Sequence, residues 1–150
     1  MAKIRLTKEF SFEAAHALEG YDGACRNIHG HSYRLFVTVA GYPSQEPGDP
    51  KRGMVTDFGV LKHIVNSEIV GRLDHAFIVE RGSLADGVAD GLRAAYGNVV
   101  EVPYRPTCEN MLDDFAARLL GVLPAGVELH SLRLHETATS YAEWFACDNL

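Results

Sequence analysis

Hydrophobic and polar positions alternate in two stretches of the first forty residues, and this alternation predicts two β-strands. Over residues 4–16 the apolar side chains share one parity and the polar side chains the other, with Lys8 as the exception. Residues 31–41 repeat the pattern, and His29 and His31 have the same parity as its apolar positions. A loop containing glycine and aspartate separates the two stretches, so we expect a hairpin with one solvent-exposed face.

Apolar residues spaced three and four apart predict two main helices further along the chain. The first follows Asp57, a good N-cap residue, and extends through Ile69. The second begins at Thr107 and ends before Pro124. Residues 42–53, rich in Gly, Pro, Ser and Asp, are expected to form the loop that precedes the first helix.

The remaining segments complete an α+β pattern. Residues 84–96 are predicted to form a short extra helix ended by Gly97, residues 99–103 a short strand, and residues 127–136 and 141–148 a closing strand pair. The order is strand, strand, helix, helix, strand, strand, with an insertion before the second helix. It predicts a four-stranded antiparallel sheet with two main helices on one face. The open edges of such a sheet favour a homo-oligomer.

Length, charge and cysteine usage narrow the class of protein. A chain of 150 residues is most simply one domain, residues 1–150, with a sizeable core. The net charge of -6 argues against a nucleic-acid or anionic-membrane surface. No apolar stretch reaches the roughly 18 residues of a transmembrane helix, and the first residues lack the apolar core of a signal peptide. Three cysteines without a pairing pattern predict reduced thiols in the cytosol.

Three histidines are the strongest candidates for chemistry. His16 has the apolar parity of the first strand, and the hairpin would bring it beside the His29-Gly30-His31 segment. Three imidazoles leave the fourth position of a tetrahedral zinc open for substrate. Copper, iron and nickel also bind neutral imidazole, so the pattern alone leaves the metal open. The alternative is a polar turn that happens to hold two histidines.

A thiol and an acid–base pair are further candidates. Cys25 lies four residues before His29 in a polar loop beside Arg26, surroundings in which thiols act as bases or nucleophiles. Asp74 would orient His75 as a proton carrier if the two side chains meet. Adjacent residues in an extended chain point apart, so the sequence leaves that contact open.

Glu136 closes a run of inward-facing positions at the end of a predicted strand, after Leu132 and Leu134. A carboxylate on an inward face is costly unless it is paired or hydrogen-bonded. Glu136 is therefore a candidate anchor for a ligand with neighbouring N–H donors, such as a guanidine-like edge. Cys108, at the start of the second helix, is expected to pack in the core.

Together these residues resemble the 6-pyruvoyl-tetrahydropterin synthase / 6-carboxy-tetrahydropterin synthase family. The matching segments occur in the family's order: Phe12-x-Ala14-Ala15-His16, Cys25-x3-His29-Gly30-His31, Gly53-Met54-Val55-x-Asp57-Phe58, Leu73-Asp74-His75, Pro106-Thr107-x-Glu109-Asn110 and Glu136-Thr137. One departure from the family is the longer segment before Pro106, covering residues 76–105, which we expect to alter the pocket rim or the contact between subunits.

The resemblance implies a tunnelling fold whose protomers assemble into trimers, commonly stacked as hexamers. It also implies roles for eight residues: zinc ligation by His16, His29 and His31, catalysis by Cys25, Asp74 and His75, and pterin binding by Glu136 and Thr107. The Asp74–His75 pair would be contributed across a subunit interface.

The implied reaction begins with 7,8-dihydroneopterin triphosphate, a small pterin. In the carboxy-forming branch, favoured here, triphosphate and acetaldehyde leave and 6-carboxy-5,6,7,8-tetrahydropterin is formed for queuosine and other deazapurines. The alternative is the pyruvoyl-forming synthase of the tetrahydrobiopterin pathway, which eliminates triphosphate and retains the two-carbon fragment. A non-catalytic zinc- or pterin-binding module is a third interpretation, and it has no use for a reactive thiol at Cys25.

Overall fold

A six-stranded mixed sheet organises the chain in the computed structural model, which describes residues 1–150. The strands are β1 (Ile4–His16), β2 (His29–Gly41), β3 (Ala76–Glu80), β4 (Val99–Val102), β5 (Val127–His135) and β6 (Tyr141–Phe145). Their order across the sheet is β4-β3-β1-β2-β5-β6. Neighbouring strands in the part β1-β2-β5-β6 are antiparallel, whereas β3 is parallel to both β1 and β4.

Five helices accompany the sheet: α1 (Phe58–Val65), α2 (Gly71–Leu73), α3 (Val88–Tyr96), α4 (Cys108–Leu120) and α5 (Ala146–Asn149). A π-helical turn over Asn66–Val70 joins α1 to α2, so the first predicted helix is one helical stretch with an irregular middle. Asp57 caps it by accepting a hydrogen bond from the backbone N–H of Gly59 at 2.7 Å. None of the helices has both the length and the apolar character that crossing a membrane requires.

The prediction of a four-stranded, purely antiparallel sheet is wrong in one region. Residues 76–102, interpreted as an insertion, form β3, α3 and β4, and the two strands extend the sheet beyond β1. The run Ala76–Val79 is a short apolar segment, and periodicity alone does not assign such a segment to a strand. The helix before β4 makes the parallel crossover possible, because parallel strands need a long connection.

The core lies between one face of the sheet and the helices α1 and α4. Phe12 and Tyr33 stack at 4.9 Å between ring centroids, and Phe115 of α4 meets Phe12 edge-on at 6.4 Å. Residues of the opposite parity in β1, such as Ser11 and Glu13, are exposed. The alternation predicted for the two long strands is therefore confirmed.

Candidate metal centre and its surroundings

The hairpin register brings the three histidines together. In the pairing of β1 with β2, His16 lies opposite His29 and Ala14 lies opposite His31. All three imidazoles stand on the core side of the sheet, at the end of the hairpin nearest its loop, and their ring centroids are 4.5 to 5.0 Å apart. His16 is almost completely buried, at 1% exposure.

Two of these rings are fixed through their Nδ1 atoms. His16 Nδ1 lies 2.8 Å from the carbonyl oxygen of Pro106, and His29 Nδ1 lies 2.7 Å from that of Asn27. Because a carbonyl only accepts, each Nδ1 donates a proton, and each Nε2 of the neutral ring has a free lone pair. These two Nε2 atoms are 2.9 Å apart, and the Nε2 atom of His31 is buried without a hydrogen-bond partner.

This arrangement fits a metal ion. One ring nitrogen from each histidine lies within 4.8 Å of the other two. Converging lone pairs repel one another, and a buried nitrogen without a partner costs about 1–3 kcal/mol, so a cation among them removes both penalties. The backbone hydrogen bonds at Nδ1 of two rings are the usual support of imidazole ligands. Three neutral imidazoles are compatible with zinc and with other transition metals.

The electrostatic surroundings favour the neutral form of two of the three rings. Burial lowers the pKa of His16, and the nearby His29 lowers it further, although the hydrogen bond to Pro106 opposes these effects. Burial also lowers the pKa of His31, against the attraction of the Glu136 carboxylate. Neutral imidazole is the metal-binding form, so binding does not require these two rings to lose a proton at neutral pH.

Glu136 lies directly after β5 and reaches the same centre. Its Oε1 atom is 3.6 Å from His16 Nε2 and 3.7 Å from His31 Nε2. The same side chain lines a small pocket of about 150 Å³ together with Cys108 and Tyr141. One carboxylate thus faces both the histidines and a space beside them, as an anchor for a ligand near the metal would.

Thr107 and Cys108 have clear structural roles at the start of α4. Thr107 is the N-cap, and its Oγ1 accepts a hydrogen bond from the backbone N–H of Asn110 at 3.3 Å. The Sγ of Cys108 donates to the carbonyl oxygen of Leu134 at 3.2 Å, and burial raises the pKa of this thiol to about 11. Cys108 is therefore a packed thiol, as expected.

Cys25 lies in the loop between β1 and β2, within a 3-10 turn over Ala24–Arg26, and it is exposed. Its carbonyl oxygen accepts a hydrogen bond from the N–H of Leu18 at 3.1 Å, which closes the loop. The structure brings this loop and the histidines to the same end of the hairpin, because His29 follows the turn by three residues.

Asp74 and His75 do meet. His75 Nδ1 lies 3.0 Å from Asp74 Oδ1, because His75 has a φ of 59°, in the left-handed region, and the chain turns there. The backbone of Glu13 in β1 holds both residues of the pair. Its carbonyl accepts a hydrogen bond from the N–H of His75, and its N–H donates to Asp74 Oδ1 at 3.0 Å. The bond from the Glu13 N–H is the main reason that the pKa of Asp74 is lowered, and His75 contributes as well.

The His75 side chain is 77% exposed and lines an open cleft of about 560 Å³. Other walls of the cleft come from the end of the β1–β2 hairpin, including Glu13, Ser32 and His31 of the histidine cluster, and from Leu92 and Tyr96 of α3. Cys25 is not among the residues of the cleft, and no hydrogen bond joins it to His75. Within one chain, the structure therefore does not bring the predicted thiol and the predicted acid–base pair together.

Three groups that support the histidines were not predicted from the sequence. The carbonyls of Pro106 and Asn27 orient His16 and His29, and backbone oxygens have no sequence signature. The Tyr33 hydroxyl, 3.4 Å from His16 Nδ1, follows from strand parity, because it occupies the next inward position after His31.

Comparison with known proteins agrees with this geometry. The family described as 6-pyruvoyl tetrahydropterin synthase matches residues 5–147. The chain belongs to this family. Among its relatives is a 6-carboxy-5,6,7,8-tetrahydropterin synthase from Haemophilus influenzae, 38% identical over 144 residues, covering 94% of this chain and 98% of the relative. A protein of the same name from Synechocystis is 36% identical over 140 residues, covering 93% and 91%.

Solved structures of other proteins share the fold. An uncharacterized protein from Wolinella succinogenes superposes with a TM-score of 0.76 at 22% identity, covering 97% of this chain and 99% of that one. The Caenorhabditis elegans 6-pyruvoyl tetrahydropterin synthase superposes with a TM-score of 0.67 at 23% identity, covering 97% of both chains. The synthase names of the relatives identify the chain as an enzyme of pterin chemistry.

Proposed function

We propose that this chain is a zinc-dependent 6-carboxy-5,6,7,8-tetrahydropterin synthase. It would convert 7,8-dihydroneopterin triphosphate and water into 6-carboxy-5,6,7,8-tetrahydropterin, acetaldehyde and triphosphate, in the deazapurine branch and in the cytosol. The observation that carries the proposal is the cluster of His16, His29 and His31, with a carboxylate beside it, in a chain whose 38% identical relative is named as that synthase.

The three histidines would hold the zinc ion, and His16 and His29 would do so through Nε2, because the proton of each of these rings is on Nδ1. When bound, zinc would act as a Lewis acid that acidifies the hydroxyl-bearing side chain of the substrate. Glu136 is positioned to accept N–H groups of the pterin ring, because its carboxylate borders both the histidines and the adjacent pocket. A carboxylate binds the paired N–H donors of a guanidine-like edge in a bidentate manner.

Proton transfer would be divided between the thiol and the acid–base pair. Cys25, exposed in a loop beside the histidine cluster, would remove a proton from the substrate side chain as the thiolate. Asp74 accepts the Nδ1 proton of His75 and so leaves the Nε2 atom free to accept or deliver a proton on the other side. Thr107 would lie near the pterin, next to Pro106, whose carbonyl supports His16.

A second copy of the chain would complete the site. His75 opens into a cleft that Cys25 does not line, so the pair would serve the Cys25 of a neighbouring subunit. Only Ala14–His16 of β1 pair with β3, and the backbone of Glu13 bonds to Asp74 and His75, so residues 4–12 of this strand offer an open edge to a partner. We propose a trimeric ring, alone or stacked in pairs as a hexamer, with one active site at each interface.

The test is product analysis with zinc-loaded protein and 7,8-dihydroneopterin triphosphate. The proposal expects triphosphate, acetaldehyde and the 6-carboxy product in equal amounts. Triphosphate release with a 6-pyruvoyl product and no acetaldehyde would assign the pyruvoyl-forming reaction instead. Binding of the pterin without turnover at any metal loading would favour a non-catalytic module.

A further inference from the structure

Arg105, just before α4, has an arrangement that the proposed chemistry does not explain. Its side chain is half-buried, and its Nε–H group is buried without an acceptor. The net charge of the chain is -6, and most of its arginines are exposed or paired with a carboxylate, as Arg34, Arg93 and Arg118 are. Arg105 has no carboxylate partner and contacts a loop instead.

The contacted loop is the one that holds Cys25. Arg105 Nη2 lies 3.5 Å from the carbonyl oxygen of Leu18, and the guanidinium carbon lies 5.8 Å from the centroid of the Tyr21 ring. Leu18 is the point where the loop closes on itself. Its N–H donates to the backbone carbonyl oxygen of Cys25, and its own carbonyl accepts from the N–H of Tyr21 at 3.2 Å.

The backbone around Arg105 is tied to the histidine cluster. The next residue, Pro106, accepts the Nδ1 proton of His16 at 2.8 Å. The Arg105 carbonyl accepts from the N–H of Thr107 at 2.7 Å and from the Asn110 side chain at 3.0 Å, which fixes this segment to the first turn of α4. A continuous chain of contacts therefore leads from a histidine of the cluster, through residues 105 and 106, to the base of the Cys25 loop.

We propose that Arg105 is a positioning residue that sets the Cys25 loop relative to the histidine cluster. The inference rests on the proposed function, since it gives Cys25 its task. The guanidinium suits this role because it is planar, permanently charged and able both to stack on Tyr21 and to donate to Leu18. The free Nε–H and the long contact at 3.5 Å leave the guanidinium with unused donor capacity beside this loop.

The experiment compares Arg105→Gln and Arg105→Lys with the wild type, and uses Arg81→Gln as a matched control. Arg81 is an exposed arginine in the turn after β3. Without substrate, hydrogen exchange should accelerate at the amides of Leu18 and Tyr21 in Arg105→Gln and stay unchanged in α4. With substrate, kcat should fall by about 10- to 100-fold while KM changes little, because misplacement of a reacting group lowers the rate of the chemical step.

Arg105→Lys should recover part of the loss in kcat, because it restores the charge without the planar fork. Zinc content and circular dichroism of all variants should match the wild type. Unchanged exchange at Leu18 and Tyr21 would overturn the proposal. A raised KM with an unchanged kcat would overturn it too and would assign Arg105 to the substrate phosphates. If the wild type does not turn over dihydroneopterin triphosphate, the proposed function fails, whereas the exchange measurement still decides whether Arg105 holds the loop.

Discussion

The histidine cluster and the Asp74–His75 pair are built in opposite ways. The cluster stands on two strands that pair with each other along their whole length, is supported by backbone carbonyls, and includes a residue that is 1% exposed. The pair stands at a chain reversal, with His75 in a left-handed conformation and 77% exposed. A metal site needs fixed ligands, whereas a group that would serve a neighbouring chain must remain accessible. The contrast predicts that mutations in the cluster lower metal affinity, whereas mutations in the pair lower the rate of proton transfer and leave metal binding unchanged.

The largest effect is expected from His16→Ala. Loss of a supporting group around a metal ligand already lowers affinity about 10- to 100-fold, so loss of a ligand should lower zinc affinity by more than that and abolish turnover. The measurement is zinc competition with a chromogenic chelator, combined with the acetaldehyde assay. His63→Ala, which alters an exposed histidine of α1, serves as the control. Wild-type zinc affinity in His16→Ala would show that this ring is only a packed core residue.

Cys25→Ala should lower kcat by about 100- to 10,000-fold, the usual contribution of a positioned acid or base, and leave zinc binding intact. The control is Cys147→Ala, because Cys147 is likewise exposed but lies in α5. Turnover at the wild-type rate in Cys25→Ala would remove the thiol from the mechanism.

Strand periodicity and motif spacing predicted the three histidines of the cluster but not the hydrogen bonds that orient their rings. His16, His29 and His31 share a face because side chains alternate along strands, and this was readable from their parity. The contact between Asp74 and His75 was not readable, because it depends on one positive φ at a non-glycine residue. The strand β3 was missed for a different reason, and the strand predicted over residues 99–103, which is β4, was not placed in the sheet, since short parallel strands gain their stability from tertiary pairing.

The strained backbone at His75 gives the third prediction. His75→Gly removes the imidazole and relieves the left-handed conformation, which costs a non-glycine residue about 1–2 kcal/mol. Unfolding free energy should therefore stay level or rise by up to about 1 kcal/mol, less the added entropy of the unfolded glycine, while kcat falls about 100-fold. Urea denaturation and steady-state kinetics measure the two effects. A marked loss of stability would show that the imidazole itself holds the turn.

Mixing variants tests whether the two regions meet between subunits. Cys25→Ala and His75→Gly are each expected to be nearly inactive alone, so co-refolded mixtures should regain activity only if one chain's His75 serves another chain's Cys25. A random mixed assembly leaves about a quarter of the interfaces with both wild-type groups, because each site draws its two residues independently. Mixtures no more active than the separate variants would place both residues in one chain's site.

The smallest effect separates the buried thiol from the exposed one. Burial raises the pKa of Cys108 to about 11 from an ordinary value of 9.0. The contribution of this pKa shift to the free energy of unfolding is fully present below pH 9. It is lost as the pH rises towards 11, because the thiol of the unfolded chain releases its proton first. At pH 10 the loss is on the order of 1 kcal/mol. Cys108→Ser keeps a donor for the Leu134 carbonyl, and its free energy of unfolding, measured by urea titration, should not show this loss at high pH. Cys147→Ser should show the loss as the wild type does. If the free energy of unfolding changes with pH equally in wild type and Cys108→Ser, the thiol titrates alike in the folded and unfolded chain. The N-terminal end of α4, beside Glu136, would then admit water more freely than its packing indicates.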